Sequence, residues 1–348
     1  MKIGWILALV LVTGLAESAI ITVGPNGCDY SSIQKAVNAA SPGDTIEINN
    51  GTYYENVNVT KSLTIHGKGE ARVDANNKGH AINLSANGIV IEGLVVANSS
   101  QWHAGIKDNH WNNIIRDNII TKNAGYGIFA ISANATITGN IISENQVGMI
   151  VGGEKSNISN NKIDKNIDIG IACGALNNCS IVGNTISLNN GIGLFLSQSR
   201  GSSIKSNKIT SNGDFGIQLY GIFWDISLID NTVSGHNDSG IYMLIGFNNS
   251  VLGNTVTNNY RGLFLDKCHN NLVKGNTIKH NHLGIGINQS DNNTIINNSL
   301  YNNTYFAFDD GHNKWDNRTN VDTYPTEKQP ELNAKGLLTL FTAATNES

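Results

Sequence analysis

Four aromatic side chains occupy the same place in a repeated motif, two residues after a glycine. They are Phe129, Phe195, Tyr242 and Phe264. Their immediate neighbours are apolar, so strand alternation directs those neighbours inward and the rings outward. A row of exposed rings offers flat apolar surface to sugars, and Asp266 adds an outward acid. We predict that these five residues form a carbohydrate-binding face, although rings that cover one another or lie under a loop produce the same pattern.

Two acidic residues, Asp214 and Asp238, precede successive glycines of this motif, and Arg261 follows one repeat later. Stacked carboxylates can share a calcium ion, and a polysaccharide lyase needs such an ion beside a basic residue. Aspartate is also a common turn residue, which is the structural interpretation of the same pattern. Glycoside hydrolysis needs two carboxyl groups about 5 to 9.5 Å apart, and the repeat offers Asp266 no such partner. Calcium is therefore the candidate cofactor.

One atypical repeat concentrates other reactive side chains within the segment NSSQWHAGIKDNHWNN. They are Trp102, His103, Lys107, Asp108, His110 and Trp111. Histidine and aspartate in one loop can do acid-base or metal chemistry, and the two tryptophans are further candidates for glycan contact. Amphipathic side chains are equally expected where a loop folds over a strand. The other histidines do not stack and no methionine-rich tract accompanies them, so copper binding has little support.

The elements that position these residues follow from a repeat of roughly 22 to 23 residues. Each unit reads apolar-x-Gly-Asn-x-apolar-x-x-Asn, then a short turn and Gly-apolar. One asparagine column runs from Asn118 to Asn298. A second runs from Asn123 to Asn303, with His236 in one place. Short apolar stretches of period two, rich in β-branched residues, predict strands and exclude helical repeats.

This repeat predicts an all-β fold, a right-handed parallel β-helix of about twelve coils with a short N-terminal capping helix. Equivalent side chains of stacked coils lie about 4.8 Å apart, so each asparagine can donate to one neighbour and accept from the other. Asparagine also tolerates left-handed backbone, which we expect of it at the sharp corners. Coils bury their interior only against one another, so both ends need caps.

The chain divides into four predicted segments. They are an export signal (1–19), an N-terminal cap with the first strands (20–62), the β-helix repeats (63–308) and a C-terminal cap with a tail (309–348). Ser31 or Ser32 begins the capping helix. Trp315 is the predicted apolar plug at the opposite end of the coil.

Composition limits the partners and the compartment. A net charge of -4 with only 23 Lys and Arg, none of them clustered, argues against nucleic acid. Lys2, an apolar run from Ile3 to Leu15 and the small residues after it predict a cleaved secretion signal. The run is too short to span a membrane. We expect an extracellular or cell-surface protein with no transmembrane segment after cleavage.

The four cysteines show neither CxxC spacing nor neighbouring histidines, so a zinc site is unsupported. In an oxidising compartment Cys173 and Cys179 can pair across a turn. Small buried thiols are the equally good alternative.

The chain resembles the parallel β-helix repeat proteins, in particular the NosD-like surface proteins common in archaea. The resemblance rests on SIQKAVNAASPGDTIEINNGTYYENVNVTKSLTIHGKG, on the GNTI…N…GI units and on DDGHNKWDN. It covers nearly all of the chain after the signal. It implies that the strand beginning at the glycine column belongs to the sheet whose outer face carries the polysaccharide groove in such proteins.

Function is less specific than fold, because this scaffold carries pectin lyases, polygalacturonases, esterases, epimerases and catalytically silent surface proteins alike. The leading hypothesis is a non-catalytic rod, secreted or on the cell surface, that contacts extracellular polysaccharide or envelope glycans. The first alternative is a polysaccharide lyase, hydrolase or epimerase. The second is a NosD-like metal-handling protein.

Overall fold

The computed structural model describes residues 18–316 and 320–321. Most of the predicted export signal and the tail after Pro325 lie outside these residues. Within the described part, no helix is long and apolar enough to cross a membrane.

Three long parallel sheets run along one rod, and each coil contributes one strand to each sheet. The fold is a right-handed parallel β-solenoid of about 13 turns with one short helix, which confirms the predicted class. A single core cluster of aliphatic side chains extends through the rod between the sheets. Every described inter-strand pairing within the three sheets is parallel and in register from coil to coil, apart from one irregularity between Gly152 and Glu154.

We name the sheets A, B and C in the order in which the chain visits them. The described strands of sheet A are Ile20–Val23, Thr45–Ile48, Thr64–Gly67, Val90–Glu92, Ile114–Arg116, Thr136–Thr138, Asn157–Ser159, Ser180–Val182, Ser203–Lys205, Ser227–Ile229, Ser250–Leu252, Leu272–Lys274, Thr294–Ile296 and Lys314–Trp315. Those of sheet B are Gly51–Tyr54, Ala71–Asp74, Val95–Ala97, Ile119–Thr121, Ile141–Ser143, Lys162–Asp164, Thr185–Ser187, Lys208–Thr210, Thr232–Ser234, Thr255–Thr257, Thr277–Lys279, Ser299–Tyr301 and Asn320–Val321.

Sheet C is the one whose strands begin around the glycine column. Its described strands are Val57–Val59, Ile82–Leu84, Ala104–Asp108, Tyr126–Ala130, Val147–Glu154, Ile171–Asn177, Leu194–Ser197, Ile217–Tyr220, Ser239–Leu244, Arg261–Asp266, Leu283–Asn288 and Tyr305–Asp309. A further two-stranded sheet pairs Phe223–Trp224 with Gly246–Phe247.

Both predicted asparagine columns form buried hydrogen-bonded ladders. Nδ2 of Asn184 donates to Oδ1 of Asn207 (3.0 Å) and to the carbonyl oxygen of Ile158 (2.9 Å). The backbone N–H and Nδ2 of Asn161 donate in turn to Oδ1 of Asn184. Each carboxamide therefore satisfies groups on its own and both adjacent coils, which is how a polar column can be buried in the rod.

The left-handed residue at this corner is the one before each ladder asparagine. Asp117, Gly183 and Ser206 have φ values of 56°, 66° and 53°. A Cβ added to Gly183 would lie 2.7 Å from Oδ1 of Asn160. Our expectation that the ladder asparagines adopt this conformation was wrong, because their side chains turn inward to reach two coils and the chain reverses one residue earlier.

A third ladder, which was not predicted, follows the corner between sheets C and A. Nδ2 of Asn249 donates to Oδ1 of Asn271 (2.9 Å), and Nδ2 of Asn271 donates to Oδ1 of Asn293 (2.8 Å). Nearer the N-terminus, a cysteine sulfur is the hydrogen-bond acceptor at the same corner. The N–H of Ser156 donates to Sγ of Cys179 (3.3 Å). All four cysteines are free thiols, so the thiol interpretation of Cys179 and its neighbour Cys173 is the one the structure shows.

The N-terminal end of the rod is covered as expected, and the predicted plug residue of the other end packs against the core. The helix Ile33–Ala39 covers the N-terminal end, and Ser32 accepts a hydrogen bond from the N–H of Lys35 as its N-cap. The carboxylate of Glu55 accepts hydrogen bonds from the first two N–H groups of the helix. At the other end Trp315 packs against the core, and its Nε1 donates to Asp309 (2.7 Å).

Candidate functional site

The outer face of sheet C holds the predicted column in register. On successive strands it consists of Lys107, Phe129, Ile150, Ala172, Phe195, Gln218, Tyr242, Phe264 and Gly286. The residues flanking Phe195, Leu194 and Leu196, are buried in the core. The prediction of which side chains point away from the coil interior is therefore confirmed.

The first two aromatic residues of the column remain accessible. Phe129 and Phe195 are half-buried, and the half-buried Ile150 and Ala172 lie between them. The ring of Tyr126 lies 5.4 Å from that of Phe129 between centroids and widens one end of the surface. Three coil spacings separate the two phenylalanines, so the apolar strip is about 14 Å long.

Phe264 differs from the expectation, because its side chain is 0% exposed. It points outward, yet it packs with Leu283 and Phe308, and the Arg261 guanidinium lies 4.7 Å from its ring centroid. On the next coil Gly286 leaves space for the ring, since an added Cβ would lie 2.4 Å from Cδ2 of Phe264. The prediction that Phe264 offers an exposed sugar-stacking ring was wrong. In the sequence, Gly286 at the next position of the column was the feature that could have predicted a covered ring.

Tyr242 and Asp266 form a polar edge beside this covered ring. Tyr242 is stacked between Phe215 and Phe264, at centroid distances of 5.4 and 6.0 Å. Its hydroxyl donates to Oδ2 of Asp266 (3.4 Å), whose Oδ1 accepts from Nδ2 of Asn288 (2.9 Å). Burial, followed by the negative charge of Asp266, raises the pKa of Tyr242. The phenol therefore stays protonated at neutral pH.

The two candidate calcium ligands have different surroundings. Asp238 is ion-paired with Arg261, whose Nε donates to Oδ1 (2.8 Å) and whose Nη2 donates to Oδ2 (2.7 Å). Asp214 lies on the preceding coil and is exposed, and its carbonyl oxygen accepts from the N–H of Asp238. Among the described residues, no three His, Cys, Asp or Glu side chains are grouped as a metal site. Calcium at Asp214 and Asp238 stays a prediction.

The atypical repeat does not form one cluster. Trp102 and Trp111 are 74% and 61% exposed, but they lie before and after the strand Ala104–Asp108, at different corners of the coil. Asp108 points inward and is buried, where it accepts hydrogen bonds from His110 N–H (2.9 Å) and Ser132 Oγ (3.2 Å). Burial raises the pKa of this carboxyl. Its role is to hold the corner rather than to act on a ligand.

The geometry defines a class of protein, the right-handed parallel β-helix with an aromatic and polar outer face on one sheet. Residues 37–232, more than half of the chain, match the family described as "Periplasmic copper-binding protein (NosD)", and the chain belongs to that family. Residues 170–321 also match a family described as "Right handed beta helix region". Among curated proteins, none matches the chain in sequence.

Several solved structures are similar to the chain in fold. The mannuronan C-5 epimerase AlgE6 A-module of Azotobacter vinelandii has a TM-score of 0.73 at 15% identity, over 84% of this chain and 94% of that one. The AlgE4 A-module of the same organism has a TM-score of 0.69 at 16% identity, over 83% and 94%. DFA-IIIase from Arthrobacter chlorophenolicus A6 has a TM-score of 0.63 at 13% identity, over 88% and 99%. At these identities the likeness shows the fold alone.

The copper in the family description has no matching donor set in the described residues. His80 and His103 are close, with ring centroids 4.6 Å apart, but Nδ1 of His80 accepts the N–H of Ala104 (2.9 Å). Met149 and Met243 are buried in the core and unavailable as ligands. No chemical step is therefore assigned to copper.

Proposed function

We propose that the protein is a secreted or cell-surface rod that binds polysaccharide chains along the outer face of sheet C without cleaving them. The observation that carries the proposal is the apolar strip from Phe129 to Phe195, whose side chains follow one another in register on the outer face of sheet C and stay partly accessible. Two partly exposed rings joined by two further apolar side chains form one contiguous apolar strip, and such a strip indicates a binding surface.

The dimensions of the strip suit a linear polymer. The column repeats once per coil, about every 4.8 Å, and the strip offers contacts over about 14 Å. Phe129 and Phe195 can stack on sugar faces at its two ends, and Ile150 and Ala172 leave space for the chain between them. Beyond the strip the same column carries the amides of Gln218 on one side and Asn83 on the other, which can form hydrogen bonds with sugar hydroxyl groups.

A double variant tests the proposal. Phe129→Ala with Phe195→Ala should weaken polysaccharide binding about tenfold or more, because truncating a contact ring costs about 1 kcal/mol or more each. The matched control is Ile119→Ala with Ile141→Ala, which removes two exposed apolar side chains from the outer face of sheet B. Affinity electrophoresis in gels containing neutral or acidic polysaccharides measures both. Equal binding by the two double variants would refute the proposal.

A second candidate function has one observation in its favour. The carboxylates of Asp266 and Asp238 and the Arg261 guanidinium all influence the protonation of Tyr242. A phenol beside an arginine can donate a proton to a sugar oxygen, as an enzyme that modifies polysaccharide requires, but the raised pKa of Tyr242 makes it a weaker acid than a free phenol. Arg261 is already paired with Asp238, which limits its contact with a substrate. Product formation from polyuronates, abolished by Tyr242→Phe, would favour this candidate over a silent rod.

A further inference from the structure

The column of sheet C continues beyond Phe129 toward the N-terminus and changes its chemistry. Lys107 pairs in register with Asn83, and Asn83 with Asn58. Nδ2 of Asn83 donates to Oδ1 of Asn58 (2.9 Å), which orders the two amides as a short ladder. One continuous face therefore has an apolar strip in the middle and hydrogen-bond donors with positive charge at this end.

An open cavity of about 410 Å³ lies at this end of the face. Its lining includes Asn56, Lys78, His80, Asn83 and Lys107. Nδ2 of Asn56 donates to the carbonyl oxygens of Lys78 and His80, so the loop that carries them is held in place.

Within the described residues, neither Lys78 nor Lys107 has a carboxylate partner within ion-pair distance. The nearest acid in the sequence, Asp108, points into the core. Both ammonium groups are therefore available to an anionic ligand.

His80 lines the same cavity, and its surroundings keep the imidazole ring neutral. Burial, with the neighbouring His103 and Lys107, lowers the pKa of His80 to about 4. Its Nδ1 accepts the N–H of Ala104, so the neutral ring carries its proton on Nε2, and the residue is part of the cavity lining. All the side chains named in the lining can donate hydrogen bonds, and His80 cannot accept one at Nδ1.

We propose that this cavity binds the negatively charged group of an acidic glycan, so that the polysaccharide bound along sheet C is a uronate-type chain rather than a neutral one. The inference rests on the proposed function, since the same chain would lie on the apolar strip. Lys107 joins the two surfaces, because it is the neighbour of Phe129 in the column. From Asn83 to Phe195 the combined surface spans five coil spacings, about 24 Å.

The test compares two ligands that differ only in charge. Oligogalacturonates of about six units span the surface, and their carboxyl-reduced counterparts have the same length and linkage. Titration calorimetry of the wild type should show tighter binding of the uronate oligomer, and added salt should weaken that binding but not binding of the reduced oligomer. Lys78→Gln with Lys107→Gln should lower affinity for the uronate oligomer about tenfold or more and change affinity for the reduced oligomer less than about twofold.

The control removes a lysine from another face. Lys205 is exposed on the outer face of sheet A, and Lys205→Gln should leave both affinities unchanged. Equal wild-type affinity for the two oligomers, or an unaltered uronate affinity in the double lysine variant, overturns the inference while leaving glycan binding intact. Failure of the wild type to bind either oligomer overturns the inference and counts against the proposed function as well. Melting temperatures of all variants confirm that each is folded.

Discussion

Single amide side chains set the stability of this rod from coil to coil. Asn184 accepts two hydrogen bonds from Asn161 and donates to Asn207 and Ile158, and its exposure is 0%. A buried donor left without a partner costs far more than an average hydrogen bond contributes. Removing one ladder asparagine should therefore lower the free energy of unfolding by more than the loss of an average hydrogen bond would.

Asn184→Ala should lower the free energy of unfolding by about 1 to 3 kcal/mol, because it leaves the backbone N–H and Nδ2 of Asn161 without their acceptor. Urea denaturation measures the change. Asn190→Ala is the control, since Asn190 is exposed at the next turn and should change stability by about 0.5 kcal/mol or less. Equal effects of the two substitutions would mean that the ladder contributes little.

His236 makes one rung of the second ladder sensitive to pH. Its Nδ1 accepts the N–H of Asn212 (3.2 Å), and it is 3% exposed. Burial lowers the pKa of His236 below its ordinary value of 6.5. As pH falls below about 6.5 the unfolded chain takes up a proton that the folded chain resists, so the free energy of unfolding decreases with acidification.

His236→Asn should remove this contribution, because asparagine restores the regular rung and does not titrate. Between pH 7.5 and pH 5 the melting temperature of the wild type should fall more than that of the variant. Differential scanning calorimetry at both values is the measurement. Parallel pH dependence in the two proteins would show that His236 is protonated as easily in the fold as in the unfolded chain.

At the scale of elements, the outer face of sheet C has two halves with different roles. Toward the N-terminus the strands leave Phe129 and Phe195 accessible. Toward the C-terminus Arg261, Leu283 and neighbouring rings enclose Phe264 in a small second core on the outside of the sheet. The same column position is therefore a binding surface in one half and packing in the other.

Phe264→Ala should lower the free energy of unfolding by about 3 to 5 kcal/mol, the usual cost of truncating a buried phenylalanine. Phe195→Ala should cost less than half as much, because its ring is only half-buried. Chemical denaturation of the two variants compares equivalent positions of one column. A small cost for Phe264→Ala would mean that the outer cluster is loosely packed.

At the scale of the whole molecule, the rod is a stack whose coils are buried only by their neighbours, so its open ends are its weak points. At the N-terminal end the capping helix buries Ile33 against the first coils. The unpaired strand edges of an uncapped end would be a template for association with another chain.

Ile33→Asp should therefore lower the free energy of unfolding by about 3 kcal/mol or more and promote association, because an unpaired charge replaces a buried apolar contact. Asn38→Asp places an acid at an exposed position of the same helix and is the control. Light scattering after size-exclusion chromatography detects association. A monomeric Ile33→Asp variant of unchanged stability would show that the helix is not an essential cap.

The sequence by itself determined the coil, its period, its two long asparagine ladders and the side of each strand that faces the core. These features depend on local periodicity. Because strand side chains alternate between the two faces, a one-residue shift of register would move the apolar side chains of a strand from the core to solvent. It also identified the capping helix and the apolar contact of Trp315 with the core. The third ladder around Asn271 was visible in principle, but its spacing is hard to separate from the general abundance of asparagine.

Only the tertiary structure decided which outward residues are accessible. Phe264 is covered partly by Arg261 on its own strand, whose guanidinium lies over the ring. Gly286 on the next coil leaves room for the ring and Leu283 packs against it, and these two residues become its neighbours only after the chain completes a turn. The pairing of Asp238 with Arg261 and the meeting of His80 with Lys107 likewise join residues more than twenty positions apart. Strand alternation gives a direction for each side chain, whereas its exposure depends on the size and charge of side chains one coil away.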